Sequence, residues 1–553
     1  MGDAESSTEH RRRRDRPRRA RPRPAPPRAA RVMLVGAVLA VVLVTGVLTV
    51  QRYAGAPTAV KECAIHAVSP PTVPSLPPGA RRYPPGTVQE GGTVNDASCL
   101  SRTPVYGVVR PTHEPAVRDA LAFARAEGLT VAVAGTRHSM GGQASFPGGL
   151  VLDMTGMRRV RVDATARTVR VQGGATWSQV LEAVHAEDLS VASMPSIDVL
   201  SVGGTLSVNA HGLDFRVGSL APSVRSLRLM TADGTVHTVD RTREPELFHA
   251  ALGGYGLFGV ILEAELELVE SEMYELEHRV VPTADFPRLF RDELEADERY
   301  RMMYAHLSTS PRTFMQEAIV YSYARTGDVP EEVPPLREQA DSAVARFVLN
   351  MARTGPVGER FRWGAQKHVL PHFRSCREAR NEALRQAEAC LVGRNQAMYN
   401  SLGLLGNRLD EHTDILQEYF LPREALVPFV EDAREILQEH DAVLLNASIR
   451  SVQEGETLLR YAKGERFSLV LYLSQEVTAA ANRDMAALTT ALVATALDHG
   501  GTFYLPYQQH YTRAEVARAY PEIDGFFALK RRHDPGLLFR NSLYERYADP
   551  AGT

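Results

Sequence analysis

Three glycine-bearing stretches constrain this chain more than any other feature: Ala134 to Gln143 (AGTRHSMGGQ), Val202 to Gly212 (VGGTLSVNAHG) and Leu252 to Ile261 (LGGYGLFGVI). Glycine takes positive φ without steric cost and lets main-chain N–H groups approach a ligand closely; successive N–H groups in such turns make a concave anion site. Each stretch alone reads as a tight turn. Together they ask for a common purpose, and a pyrophosphate suits them. The segments around them alternate in period. From Val105 run a strand (VYGVVRP), an amphipathic helix (PAVRDALAFARAEG), a strand (LTVAVAG), a β pair (VRVDATARTVRVQGG) and a helix (WSQVLEAVHAEDL), so an α+β fold is expected.

A second region, Ser271 to about Pro535, has its own rhythm. Helix PREALVPFVEDAREILQEH leads to strands AVLLNASIRSV and FSLVLYLSQ, helix NRDMAALTTALVATALDHGG and strand TFYLPYQ, which predicts a sheet covered on one face by two helices. Between about residues 330 and 407 lies a mostly helical insert with the basic, aromatic piece GERFRWGAQKHVLPHFR, read as a solvated charged face or as a membrane-surface contact. Gly254-Tyr255-Gly256-Leu257-Phe258-Gly259 matches the GxGxxG dinucleotide fingerprint, but the sequel VILEAELELV alternates like a strand, whereas the fingerprint needs a helix there. A nicotinamide fold is therefore not expected. No Walker loop, HExxH, nucleophile elbow or zinc spacing occurs, so no metal is assigned.

The chain of 553 residues is 44% hydrophobic with a formal net charge of −3, values of a folded globular protein with room for two or three domains. Its first 31 residues differ, holding eleven arginines among prolines, and read as a disordered tail. Val32 to Val50 is nineteen uncharged residues, about 28 Å as a helix, enough to span a bilayer. The arginines before it keep the tail cytoplasmic, so residues from Gln51 onward are expected outside, single-pass, behind an uncleaved anchor. Ala54-Gly55-Ala56 keeps a cleaved signal as the rival. Residues 51–100 are a Pro/Gly-rich linker. Cys63, Cys99, Cys376 and Cys390 form no metal spacing; Cys63 with Cys99 is the pairing favoured, and no nucleic-acid partner is expected.

The three glycine stretches, in this order, resemble the FAD domain of the vanillyl-alcohol oxidase and p-cresol methylhydroxylase superfamily, nearest to aldonolactone and alditol oxidases and cytokinin dehydrogenases. The resemblance spans residues 101–270: Gly135-Thr136-Arg137-His138-Ser139 matches a GxxHS loop, Gly203-Gly204-Thr205-Leu206-Ser207 with His211-Gly212 a GGTLS-like segment, and Leu252 to Ile261 an LGGxGxFGVI ending. It implies FAD between two α+β subdomains, a substrate-binding domain over 271–535, and a C-terminal segment, 536–553, returning to the flavin domain. The FAD-binding residues so implied are Ala134, Gly135, Thr136, Arg137, His138, Ser139, Gly142, Gln143, Asp198, Gly203, Gly204, Thr205, Ser207, His211, Gly212, Gly259, Val260, Ile261 and Asn541.

In relatives with this loop the histidine carries the flavin covalently, and His138 is the matching position; its plain reading is a hydrogen bond within the loop. A neutral imidazole is a competent nucleophile, and Arg137 beside it is expected to help keep it unprotonated. The implied reaction is oxidation of a CH–OH group of an alcohol, sugar derivative or lactone. Oxygen or a membrane quinone is the expected electron acceptor. Two alternatives stay open: a lipid- or isoprenoid-linked substrate, and a flavin-binding surface protein without catalysis. An E-x-R pair meets the alcohol in aldonolactone and alditol oxidases; here it reads Ser448-Ile449-Arg450, keeping the arginine and losing the carboxylate. An arginine about 4 Å from a developing alkoxide is worth about 4 kcal/mol at an effective dielectric of about 20. His510 is the candidate base, with Tyr507 or Gln509 as substrate hydrogen-bonders. Asp198 lies near, though displaced from, the catalytic aspartate of cytokinin dehydrogenases. Asn541, in HDPGLLFRNSLYERY, is a candidate contact near the flavin ring or else part of a helix end.

Overall fold

A small parallel core forms because short runs of β-branched residues alternate with one strongly amphipathic helix. Strands β1 (Thr87–Glu90), β2 (Gly107–Val109), β3 (Val131–Ala134) and β4 (Leu150–Asp153) make a sheet of order β1-β2-β4-β3, parallel except at β1. Helix α1 (Glu114–Ala126) starts where the His113 ring accepts the Ala116 N–H and a proline occupies the first turn. It buries Val117, Ala120, Leu121 and Ala124 against Val109, Val131, Leu150 and Leu152. The computed structural model describes residues 82–325, 350–369, 377–379 and 411–548.

The second layer is antiparallel. Strands β5 (Val160–Asp163), β6 (Thr168–Gln172), β7 (Val224–Met230), β8 (Val236–Asp240) and β9 (Val260–Glu270) run in the order β8-β7-β9-β6-β5. Strand β9 is the sequel to Gly254–Gly259, as its alternation predicts, with inward residues buried and Glu263, Glu265 and Glu267 facing outward. Helices α2 (Trp177–His185) and α3 (Val202–Ser207) pack beneath, and the buried Trp177 indole N–H donates to Thr205 Oγ1 at 3.0 Å.

A third sheet carries eight strands. They are β10 (Met273–Pro282), β11 (Tyr300–Leu307), β12 (Glu317–Arg325), β13 (Arg377–Ala379), β14 (His412–Pro422), β15 (Val443–Val452), β16 (Arg466–Glu476) and β17 (Thr502–Phe503), in the order β13-β10-β12-β11-β15-β16-β14-β17. Helices α4 (Leu426–Glu439) and α5 (Ala479–Asp498) cover one face, where Gln417 Nε2 donates to Thr489 Oγ1 at 2.8 Å, matching the expected two-helix cover. Because side chains alternate, Leu416, Glu418 and Phe420 point to the opposite face. The expected strand TFYLPYQ is cut to two residues. Pro506 cannot extend the ladder, and the carbonyls of Leu505 and Pro506 instead accept from Gln143 Nε2 and Met140 N.

The described part of the insert is not a solvated face throughout. Arg362 and Trp363 are buried, bonding Asn446 Oδ1 and Glu317 Oε2 at 3.2 and 3.0 Å, while Val357 and Phe361 are exposed. Among the described residues no helix is long and apolar enough to cross a membrane; the expected tail and span at 1–50 lie outside them. Cys99 is disulfide-bonded, and Cys63, Cys376 and Cys390 lie outside the described residues.

The C-terminal segment closes on the first sheet. After helix α6 (Ile523–His533) the chain pairs Phe539 with Val131, and Val131 N–H donates to Leu538 O at 2.6 Å. Asp534 holds this return: its carboxylate accepts from the buried Lys530 ammonium and from the N–H groups of Leu538 and Phe539 at 3.0 and 2.8 Å. Burial pulls the Lys530 ammonium down to about 8, against the pull of Asp534. Asp534→Ala leaves a buried cation and two amides unpaired, with an expected loss of about 3–5 kcal/mol in denaturant unfolding. Arg532→Ala, which breaks an exposed pair with Glu246, is expected to cost less than about 1 kcal/mol.

Candidate flavin and substrate site

The glycine loops are stitched to one another by contacts that only small residues permit. Ser201 N–H donates to Thr136 Oγ1 at 3.2 Å, binding the first loop to the second, and a Cβ on Gly135 would lie 1.9 Å from Ser201 Oγ. Gly203 N–H donates to Gly173 O at 2.8 Å, and a Cβ on Gly203 would meet the Gly173 backbone at 2.9–3.2 Å. The third loop joins through Gly253 N–H to Leu206 O (3.0 Å) and Tyr255 N–H to Ser207 O (2.8 Å). Arg137 sits in the left-handed region with φ of 56°. The amides of Arg137, His138 and Ser139 donate to no protein acceptor among the described residues. Successive free amides around one left-handed residue form an anion nest.

These loops line one side of a cavity; the third sheet lines the other with Leu416, Glu418, Arg450 and Val470, and Tyr504, Pro506 and Tyr507 close the end. The inward residues share register: Glu418 pairs with Val470, Val470 with Ser448, and Arg450 with Ser468. Glu418 therefore occupies the cross-strand row of Ser448, two strands away, and restores a carboxylate to the face from which Ser448 removes one. His211, from the second loop, reaches across the cavity to Glu418 with Nε2 and Oε1 2.7 Å apart; both side chains are almost fully buried. Burial alone raises the Glu418 carboxyl, but the charge and hydrogen bond of His211 and the charge of Arg450 hold it below its ordinary value. Arg450 Nη1 donates to Ser196 Oγ at 2.5 Å.

Burial depresses His138 to about 4, against a hydrogen bond to Thr136, so its ring is neutral at physiological pH. Its Nδ1 lies 3.2 Å from Thr136 Oγ1, and its Nε2 is shielded from solvent without a partner among the described residues. Arg137 is not the cause: its guanidinium turns to Asp153 at 3.6 Å.

Of the sequence-predicted residues, Ala134, Gly135, Thr136, Arg137, His138, Ser139, Gln143, Gly203, Gly204, Thr205, Ser207, His211, Gly259, Ile261, Arg450 and Tyr507 line the cavity. Gly142, Asp198, Gly212, Val260, Gln509, His510 and Asn541 do not. Gly142 donates its N–H to Asp96 Oδ2 at 2.9 Å, and Gly212 packs so tightly that a Cβ would lie 2.0 Å from Met194 O. Asp198 is buried behind the lining residues Ile197 and Leu200. His510, the expected base, follows the turn at Pro506, contacts Gln508 Oε1 at 3.1 Å and is not among the residues that line the cavity. Gln509 donates to Ser542. Asn541 is a helix cap, accepting Tyr544 N–H and donating to Tyr255 O at 2.8 Å. Sequence reasoning missed Glu418, Ser196 and Tyr504. The signal for Glu418 was an acid in the middle of the strand-like segment ILQEYFL, where burial demands a partner.

Comparison with known proteins agrees with this geometry. Residues 105–240 match the family model of an FAD binding domain, which contains the first two loops and stops short of the third. Over 466 residues the chain is 25% identical to decaprenylphosphoryl-β-D-ribose oxidase of Mycolicibacterium smegmatis, covering 80% of this chain and 95% of that protein. It is 38% identical over 154 residues to cytokinin dehydrogenase 2 of Oryza sativa, 26% of this chain and 27% of that one. It is 34% identical over 186 residues to the mitochondrial L-galactono-1,4-lactone dehydrogenase 1 of Oryza sativa, 32% of this chain and 30% of that one. The chain thus spans about a third or less of the length of these last two relatives.

The residues present fit FAD: an anion nest on the first loop, an unpartnered neutral His138, and a Gly173–Gly203 contact that keeps side chains off the cavity floor. Gly203→Val forces the loops apart and is expected to leave less than about a tenth of the wild-type flavin per protein at unchanged far-UV circular dichroism, given the cost of displacing packed backbone. Burial also pushes His510 down to about 4. Unfolded histidines protonate near 6.5 while the folded ones stay neutral to about 4, so stability is full above pH 6.5 and falls between 6.5 and 4. His510→Asn is expected to reduce that fall in urea titrations. With three glycine loops joined around one cavity and a matching FAD binding domain over residues 105–240, the chain is an FAD-dependent oxidoreductase that resembles the p-cresol methylhydroxylase-type superfamily.

Proposed function

We propose that this protein oxidises a CH–OH group of a sugar derivative carried on an isoprenoid phosphate. The observation that carries the CH–OH part is Arg450 with Glu418 on the sheet face opposite the flavin loops, joined by His211 from the second of those loops. A surface protein that only stored flavin would have no use for buried charges there, since their desolvation is costly. Bound FAD supplies the hydride acceptor. Arg450 stabilises negative charge developing on the substrate oxygen, Ser196 fixes its guanidinium, and the walls of Leu416, Val470 and Tyr504 exclude water. The isoprenoid-linked sugar is favoured because a match covering 80% of the chain is long enough to take in the substrate sheet, and that relative is named for such a substrate. Cytokinin and lactone relatives match over stretches too short to include the flavin loops and the substrate sheet together.

His138 binds the flavin covalently in this reading; its neutral ring and unpartnered nitrogen are the support. The catalytic part lies outside the cytoplasm on the Val32–Val50 anchor, a placement that the disulfide at Cys99 favours, because such bonds persist in oxidising compartments. Oxygen or a membrane quinone takes the electrons, and reoxidation in air-saturated buffer separates the two.

Two measurements test this. Acid precipitation of the purified protein is expected to give a yellow pellet that His138→Ala turns colourless; a colourless wild-type pellet removes the covalent bond. Under anaerobic conditions decaprenylphosphoryl-β-D-ribose is expected to bleach the flavin. Bleaching by L-galactono-1,4-lactone alone removes the isoprenoid reading, and bleaching by neither overturns the oxidation of CH–OH groups.

A further inference from the structure

We propose that His211 and Glu418 form the proton-accepting dyad of this site, a base assembled from the two halves of the cavity. The inference rests on the CH–OH reading above and names the group that takes the hydroxyl proton. His211 closes the second glycine loop and Glu418 lies mid-strand on β14, 207 positions apart in sequence, yet their Nε2 and Oε1 are 2.7 Å apart on the cavity wall.

The fold holds this pair with unusual care. Phe420, two residues along the same strand, meets the His211 ring edge-on at 5.6 Å; Tyr461 and Tyr504 flank it at 6.0 and 6.3 Å. The hydroxyls of those tyrosines donate to Asn209 O and Val208 O at 2.7 and 2.8 Å, pinning the loop that bears the histidine. Gly212 allows the chain to pass against Met194 O, where a Cβ would stand 2.0 Å away. A histidine needed only for packing has no call for a carboxylate, and a carboxylate buried among aromatics is costly unless its charge is used.

The ionised Glu418 determines the tautomer. A carboxylate only accepts, so Nε2 carries a hydrogen and donates it to Glu418; whenever the ring holds a single proton, the Nδ1 lone pair is the acceptor. Nδ1 is buried and has no hydrogen-bond partner among the described residues. In the step, the substrate O–H bond breaks and its proton passes to the dyad. With oxidised flavin bound, the C–H hydrogen would leave with both electrons to that acceptor as the second C–O bond forms. Carbon loses two electrons, and Arg450, on β15, steadies the oxygen as its proton departs. The charged and titratable groups facing the dyad are Arg450, Tyr461 and Tyr504.

The test uses the flavin-loaded full chain, with decaprenylphosphoryl-β-D-ribose and L-galactono-1,4-lactone as probes. Glu418→Gln and His211→Gln are each expected to slow anaerobic flavin reduction by about 100-fold or more, while flavin content and the probe's dissociation constant, read from the flavin spectrum, stay within about threefold. Because the two act as a unit, the double variant is expected to be no slower than the slower single one. Single variants within threefold of wild type, or losses that multiply in the double variant, overturn the dyad. Should a variant lose its flavin, the wild-type pH profile decides: kcat/KM that falls about tenfold per pH unit on the acid side supports a titrating base, and a flat acid side overturns it. Wild type that holds FAD but is reduced by neither probe overturns the CH–OH reading and this assignment with it; normal reduction in wild type and both variants overturns the assignment alone.

Discussion

The backbone of Gly203 lies against that of Gly173, with a hydrogen bond of 2.8 Å and no room for a Cβ between them. That contact ties helix α3 to the end of strand β6, and the remaining loops are hung from it. Ser201, two residues before Gly203, holds Thr136; Leu206 and Ser207, at the other end of α3, hold Gly253 and Tyr255. Six helical residues thus position three loops whose amides and small side chains make one continuous wall. A single added methyl group at Gly203 would be felt in all three, because packed backbone has no rotamer to yield.

The opposite wall is organised by charge. Glu418 and Arg450 are each buried, and removing charged groups from water costs several kcal/mol per ion unless each finds a partner. Here the partners come from different layers: Glu418 from the third sheet, His211 from the second loop, and Ser196 from the segment before α3. The pairing links the flavin half of the cavity to the substrate half. Register also places Glu418 in the same cross-strand row as Ser448, where the resemblance to aldonolactone and alditol oxidases leads one to expect an acid.

The architecture was readable where periodicity was strong. Strand β9 declared itself by alternating Ile, Leu and Ala against Glu, and this was enough to set aside the dinucleotide fingerprint just before it. The two helices over the third sheet were equally plain. The glycine loops pointed to the cavity because backbone approach is a property of the residues themselves. Side-chain convergence was harder. His510 follows a strand-like run, but Pro506 turns the chain into the first loop and carries the histidine away. Asn541 sits in a motif that reads as a flavin contact and serves as a helix cap. Glu418 escaped because its meaning depends on His211, a residue distant in sequence, and on which face of the strand is inward. No local pattern reports either.

The most direct measurement is a crystal structure of the purified, flavin-loaded protein. Density for the flavin ring is expected between the Gly203–Gly204 turn and the Arg450 side of the third sheet, with the pyrophosphate on the amides of Arg137, His138 and Ser139. A protein that folds and crystallises without flavin after incubation with excess FAD, or that holds the ring away from Glu418 and Arg450, would contradict the site described.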